Sequence, residues 1–181
     1  MKLRSFAVKI DQNEAEAMSK KRMSFFGRLL IGKNPEVEIK TFFIENKIIT
    51  YEITNEPPFF INWLRKGHIE KHKSRIRMIA DGSTSGVALY DDAGTDVVDM
   101  DVDEKQVQLS DFSDDMLVVR GNVLARRILR RRVGGAVSLE TLEIQSVFRP
   151  YHVLFYGKLT EGRKVRYMSI PADNCVVKKT F

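Results

Sequence analysis

Residues able to do chemistry are few in this chain, and they are scattered. The single cysteine, Cys175, opens the apolar run Cys175-Val176-Val177, where a thiol is expected to be buried and inert rather than activated. His68 and His72 stand four apart, a spacing that one helix face can offer to a metal. Lys66, Lys71 and Lys73 surround them and Glu70 would point elsewhere on a helix, so solvated surface residues are the preferred reading. His152 alternates with Tyr151 and Val153 and reads as a strand residue rather than a base. No G-x-S-x-G, P-loop or dinucleotide fingerprint occurs. In the acidic run from Asp99, Glu104 and Ser110 stand where a calcium loop needs glycine and glutamate. No catalytic residue, metal ligand set or cofactor is expected. A catalytic carboxylate needs no local motif, so an enzyme stays open, with a non-enzyme preferred.

Two segments have the composition of contact surfaces. The first, residues 55–72, carries Phe59, Phe60, the only tryptophan, Trp63, and then Arg65 and further bases. Pro57-Pro58 stiffens its entry and denies a sheet partner a backbone donor. Aromatics followed by bases suit a protein contact, a stacked base beside phosphates or an anionic membrane surface. Packing back onto the protein is the plain alternative. The second is a basic helix over 114–133 with Arg120, Arg126, Arg127, Arg130 and Arg131. At about 100° per residue, Leu117, Val118, Leu124, Ala125, Ile128 and Leu129 share one arc and the arginines the other. That predicts an amphipathic helix with an almost entirely cationic outer face, able to hold an anion in a salt-sensitive way or simply solvated.

Asp81-Gly82-Ser83-Thr84-Ser85-Gly86 reads D-x-S-x-x-G and resembles one half of the signature of PilZ domains. The resemblance implies binding of a cyclic dinucleotide, for which that family also uses an upstream R-x-x-x-R pair. Arg65, Arg75 and Arg77 lie upstream here without that spacing.

The elements around these segments repeat. A strand at Phe6–Ile10 and another at Val107–Leu109 each lead into an acidic helix start, Asp11 with Glu14 three residues on, and Ser113 with Asp114 and Asp115. Helices are expected over 12–32 and 114–133, stopped by Gly32 and by Gly134-Gly135. Phe43, Ile48, Ile49 and Tyr51 align at one offset with Phe148, Val153, Leu154 and Tyr156. Ile76-Arg77-Met78 then aligns with Val165-Arg166-Tyr167, and Gly86-Val87-Ala88 with Cys175-Val176-Val177, after about sixteen extra residues in the first copy. A hairpin turn is expected at Glu161-Gly162-Arg163. The expected fold is α+β: two tandem β-α-β-β-β units, each a helix packed on an antiparallel sheet, similar in layout to cystatin-like or PepSY-like modules. The first unit spans 1–90 with its insertion at 55–72, an acidic connector spans 91–106, and the second unit spans 107–181.

Composition sets the outer limits. The 181 residues are 43% hydrophobic and 30% charged, enough apolar material to fold and too much for a disordered tail. No apolar run approaches the ~18–20 residues of a membrane span. The charged start Met1–Ile10 reads as no secretory signal, and one cysteine excludes an intramolecular disulfide, so a cytoplasmic location is expected. The net charge of +6 is segregated. Acids crowd 91–115, where Lys105 is the one base, between basic stretches at 65–77 and 120–132. Such blocks could attract one another within a molecule or between copies. The expected function is a non-enzymatic binding or assembly protein taking a protein partner or a second copy. Binding of nucleic acid or a nucleotide through the arginine helix and the basic insertion is the alternative.

Overall fold

The structure, a computed structural model, describes residues 1–23, 36–55, 72–91, 95–132, 137–157 and 165–174. In chain order these form β1 (Lys2–Phe6), α1 (Gln12–Arg22), β2 (Val37–Asn55), β3 (His72–Asp81), β4 (Val87–Leu89), β5 (Val97–Asp101), a 3-10 turn (Glu104–Gln106), β6 (Val107–Gln108), α2 (Asp114–Arg132), β7 (Val137–Tyr156) and β8 (Arg166–Pro171). The fold is α+β. The strands pair in the order β4-β3-β2-β7-β1-β5, with β6 on β2 and β8 on β7.

The expected antiparallel sheets need correction, because the sheet is mixed. β1 runs parallel to β7 at Ser5 and Phe148, and β6 runs parallel to β2 at Phe43 and Val107. A hairpin forces antiparallel pairing only on strands adjacent in sequence. β1 and β6 each lead into a helix and pair with a strand from the other half of the chain, a choice that alternation cannot reveal. The acidic segment also does more than connect. Its β5 lies antiparallel to β1 and sets Asp99 opposite Arg4 and Asp101 opposite Lys2. Cross-strand neighbours of opposite charge stabilise such a pair, so these acids are compensated by basic residues in register.

By contacts the chain divides into two compact units. Unit 1 comprises Met1–Ile44, Gly94–Gln108 and Phe148–Val176; unit 2 comprises Glu45–Ala93, Leu109–Val147 and Val177–Phe181. The long strands β2 and β7 each contribute one half to either unit.

In unit 1, α1 starts on a capping box. The Asp11 carboxylate accepts from the Glu14 amide at 2.7 Å, and the Glu14 carboxylate accepts from the Asp11 amide at 3.4 Å. The helix ends at Arg22, short of the expected 32, because Met23 turns extended (ψ 124°) while its amide still donates to Ser19 O. Ile10, Ala15, Leu154 and Ile170 form its buried core, with Val37, Ile39, Tyr156 and Met168 packed around them. A second cluster joins Leu3, Phe43 and Phe148 to Met100 and Val107. Two buried polar groups are tied down beside them. Arg149 clasps Asp173 in a two-point ion pair of 2.7 and 3.1 Å. His152 Nε2 lies 2.8 Å from Ile10 O and Nδ1 3.0 Å from Thr41 Oγ1. A carbonyl only accepts, so Nε2 donates to Ile10 O, and both ring nitrogens have a partner. This saturated imidazole is a strand residue, as its alternation predicts.

In unit 2, α2 lies on β2 and β3. Ile49, Tyr51, Met78, Ala80, Leu117 and Ala125 are fully buried there. Leu117, Gly121, Ala125 and Leu129 recur every four residues along the buried side of the helix, the spacing that keeps one face inward. Gly121 is required by contact, since a Cβ there would overlap the Tyr51 hydroxyl. That hydroxyl donates to Val118 O at 2.7 Å, and burial pushes its pKa up to about 12 against a smaller opposing effect of the Asn122 amide.

The two units share details. Ile49 faces Met78 across β2 and β3, and Leu154 faces Met168 across β7 and β8. The Gly82 amide donates to Glu45 O and the Gly82 carbonyl accepts from Asp111 N; the Ala172 amide donates to Pro150 O and the Ala172 carbonyl accepts from Lys9 N and Ile10 N. The sequence alignment sets Ile76 against Val165; in the sheet Ile76 faces Tyr51, and Arg166 rather than Val165 faces Tyr156. Met78 is buried, while Tyr167, set against it in that alignment, is 69% exposed.

Candidate functional site

α2 begins where Ser113 caps it, its carbonyl accepting from Leu117 N at 3.1 Å and its hydroxyl from Met116 N at 3.4 Å. Asp114 and Asp115 then meet the positive end of the helix dipole. With the inner face committed to the core, the opposite face is open. Arg120, Arg127, Arg130 and Arg131 are exposed on it. Arg126 is not a surface cation in the same sense. Its Nε donates to Asn122 Oδ1 at 2.7 Å and its Nη1 to Val137 O at 3.1 Å, which ties the helix to the start of β7.

The almost entirely cationic outer face is a second correction. Met116, Val119 and Val123 share it, at 39%, 62% and 55% exposure. By the same 100° arithmetic, these three and Arg130 form one stripe about 60° wide, and Arg120, Arg127 and Arg131 form a neighbouring stripe about 40° wide. The wheel that sorted the arginines outward places these apolar residues outward too. The signal was present in the sequence. The Phe59, Phe60, Trp63 and Arg65 contact lies outside the described residues, as do the expected turn at 161–163 and Cys175.

Three other places were candidates for chemistry. At the head of unit 2, Lys47 Nζ contacts Glu45 Oε1 at 2.9 Å, Asp114 Oδ1 at 3.2 Å and Ser146 Oγ at 2.9 Å, and the serine hydroxyl donates to Glu45 Oε1 at 2.8 Å. Burial raises the Glu45 pKa, but the Ser110 amide, Lys47 and Ser146 together outweigh it and hold the carboxyl below its usual range. Burial lowers the Lys47 pKa, and Glu45 and Asp114 outweigh that and raise it. A lysine held protonated and a carboxylate of weakened basicity do not activate a serine. The network instead binds β2, β7 and the start of α2.

The D-x-S-x-x-G hexapeptide closes its own turn. Asp81 Oδ1 accepts from Ser83 N at 2.9 Å, Ser83 Oγ at 2.8 Å and Thr84 N at 2.9 Å. Ser85 sits at φ 54°. These bonds outweigh the burial of Asp81 and lower its pKa. The turn's geometry is explained without a ligand.

A cleft of about 740 Å³ in unit 2 is floored by Ile53 and Leu129 and rimmed by Arg75, Arg77, Asp91 and Glu143. The Arg77 guanidinium lies over the Tyr90 ring, 5.5 Å from its centroid. Two bases and two acids leave the rim without a net charge, so it does not select an anion. His72 opens β3 rather than lying on a helix with His68, and among the described residues no group of three His, Cys, Asp or Glu could hold a metal. Among the described residues no helix is long and apolar enough to cross a membrane. No protein-family model, curated protein or solved structure matches the chain.

Proposed function

We propose that the chain is a non-enzymatic binding or assembly protein whose contact surface is the outer face of α2. One observation carries the reading: Met116, Val119 and Val123 stay exposed beside a row of arginines on a helix whose other side is fully used by the core. Grouped exposed apolar side chains rimmed by polar ones mark interaction sites. The same stripe favours a protein partner over nucleic acid or a nucleotide, since a phosphate backbone makes no use of exposed valine and methionine. The anion reading keeps its support from Arg120, Arg127, Arg130 and Arg131, all exposed. A photo-crosslinking side chain at Val119 tests the proposal. It should yield discrete protein adducts in the cells that make the chain, whereas the same group at exposed Tyr167 should not. Equal adducts at both positions would overturn it. Absorbance at 260 nm that travels with the purified protein and is stripped by high salt would move the reading to an anion.

The same proposal takes the chain as a duplication, with copies at 1–90 and 107–181 joined through 91–106. The matched registers and the matched Gly82 and Ala172 hydrogen bonds support it. Each compact unit would then combine the leading half of one copy with the trailing half of the other, so each helix packs on strands from both. The insertion at 55–72, with Phe59, Phe60, Trp63 and Arg65, is a second proposed contact, for which Trp63→Ala should weaken association and leave the fold intact. The cytoplasmic location is carried on the lone cysteine.

A further inference from the structure

We infer that the segment which docks on α2 is an acidic amphipathic helix of a partner protein, laid along α2 as a short coiled-coil seam. The inference rests on the contact surface proposed above and names its occupant. Met116, Val123 and Arg130 recur every seven residues, Val119 follows Met116 by three, and Arg120 and Arg127 each follow by four. In heptad terms these are the a, d and e positions of a helix that lacks its second strand, with successive a positions about 10.5 Å apart. The apolar a and d positions Met116, Val119 and Val123 ask for apolar knobs from the partner over the first heptad and a half. Arg126, tied back to Asn122 and Val137, takes the next d and Arg130 the next a. Arginines along one flank ask for carboxylates at the partner's e or g positions.

The composition of the face excludes the competing occupants. Among the described side chains α2 has four exposed arginines, and its sequence contains no lysine and no aromatic residue. Arginine and methionine are enriched, and lysine depleted, at protein interfaces, whereas membrane-surface helices rely on Trp, Phe and Leu for insertion. A second copy of α2 fits poorly. Parallel pairing sets Arg130 against its own counterpart, and antiparallel pairing sets Arg120 against Arg127. A second copy's acidic β5 is also poorly suited, because Asp99 and Asp101 already face Arg4 and Lys2.

The test uses the full chain and a fluorescein-labelled peptide of three heptads with Ile at a, Leu at d and Glu at e and g, read by anisotropy. A second peptide carries Lys in place of each Glu at e and g. The acidic peptide should bind at least about tenfold more tightly than the basic one, and the margin should shrink with salt. Val119→Asp should weaken the acidic peptide by about tenfold or more. The exchange Arg120→Glu with Arg127→Glu should reverse the preference, which general damage to the fold would not do. Equal binding of both peptides, or a preference untouched by the exchange, overturns the inference. So does sedimentation of the chain with phosphatidylserine vesicles in place of peptide binding. If the Val119 crosslinker still finds protein while neither peptide binds, the surface stands and the acidic helix falls. If both fail, the surface reading falls as well.

Discussion

At Gly121 one added methyl group sets two opposing effects against each other inside unit 2. In an exposed helix interior, Gly→Ala is favourable by about 1 kcal/mol. Here the new Cβ would overlap the hydroxyl oxygen of Tyr51, which is fully buried and has no room to swing. Overpacking of this kind costs roughly 1–3 kcal/mol, and a displaced hydroxyl gives up its 2.7 Å bond to Val118 O, about 1 kcal/mol more. The net expectation for Gly121→Ala is therefore a loss of roughly 1–3 kcal/mol. Removing the hydroxyl first changes the sign. In the Tyr51→Phe background the next atoms are Cζ of residue 51 at 3.3 Å and Ile49 Cδ1 at 3.5 Å, tight and ordinary contacts respectively. Alanine should then be neutral or stabilising by up to about 1 kcal/mol, which makes the coupling between the two sites roughly 1–4 kcal/mol. Urea unfolding of the four proteins, followed by far-UV circular dichroism, measures that cycle. The reasoning is refuted if Gly121→Ala stabilises the otherwise unaltered chain, or if it costs the same in both backgrounds.

Four further outcomes are expected. Asp173→Ala removes the carboxylate that neutralises the Arg149 guanidinium, whose side chain is only 10% exposed, and should cost about 3–5 kcal/mol in urea unfolding; replacing both partners by apolar residues should recover most of it. Glu45 and Asp81 have lowered pKa values when folded, so their stabilisation is present above the ordinary values of 4.5 and 3.8 and is lost as pH falls through the folded ones. An acid titration of the melting temperature should show this, and Glu45→Gln should flatten it. Lys47 has the opposite sign: its contribution is present below the ordinary 10.5 and is lost as pH rises through the raised value, so Lys47→Met should flatten the alkaline limb. Val123→Asp should abolish crosslinking from the photo-reactive group at position 119 while leaving the melting temperature within about 1 °C, because the Val123 side chain points to solvent.

Local elements were legible where local chemistry decides them. The Asp11–Glu14 capping box, the start of α2 at Ser113 and the inward arc from Leu117 to Leu129 follow from spacing alone, and the structure has each of them. Long-range pairing was not. Ser5 beside Phe148 and Val107 beside Phe43 join residues from opposite halves in parallel. A period-2 strand advertises which side chains point inward and says nothing about its neighbour or direction. The Arg149–Asp173 pair was hidden for the same reason, since an isolated arginine and aspartate look like surface residues until the fold brings them together.

The functional surface shows a different limit. Charge draws the eye because arginines cluster in sequence, so a helical wheel read for cations finds cations. The residues that discriminate between an anion and a protein partner are Met116, Val119 and Val123, which look like core material in a linear reading. Their angle about the helix was available. What was missing was knowledge of which arc the core fills, and that depends on Tyr51 and Ile49 arriving from a strand more than sixty residues away in sequence. Once Leu117, Gly121, Ala125 and Leu129 are seen to take the whole inner face, nothing in the helix's own packing calls for Val119 or Val123 to be apolar. An exposed valine is also a poorer helix former than the alanine or lysine that an idle surface could carry at no cost. Two such valines and a methionine at heptad spacing are therefore better explained by a surface that meets another than by one that meets only water.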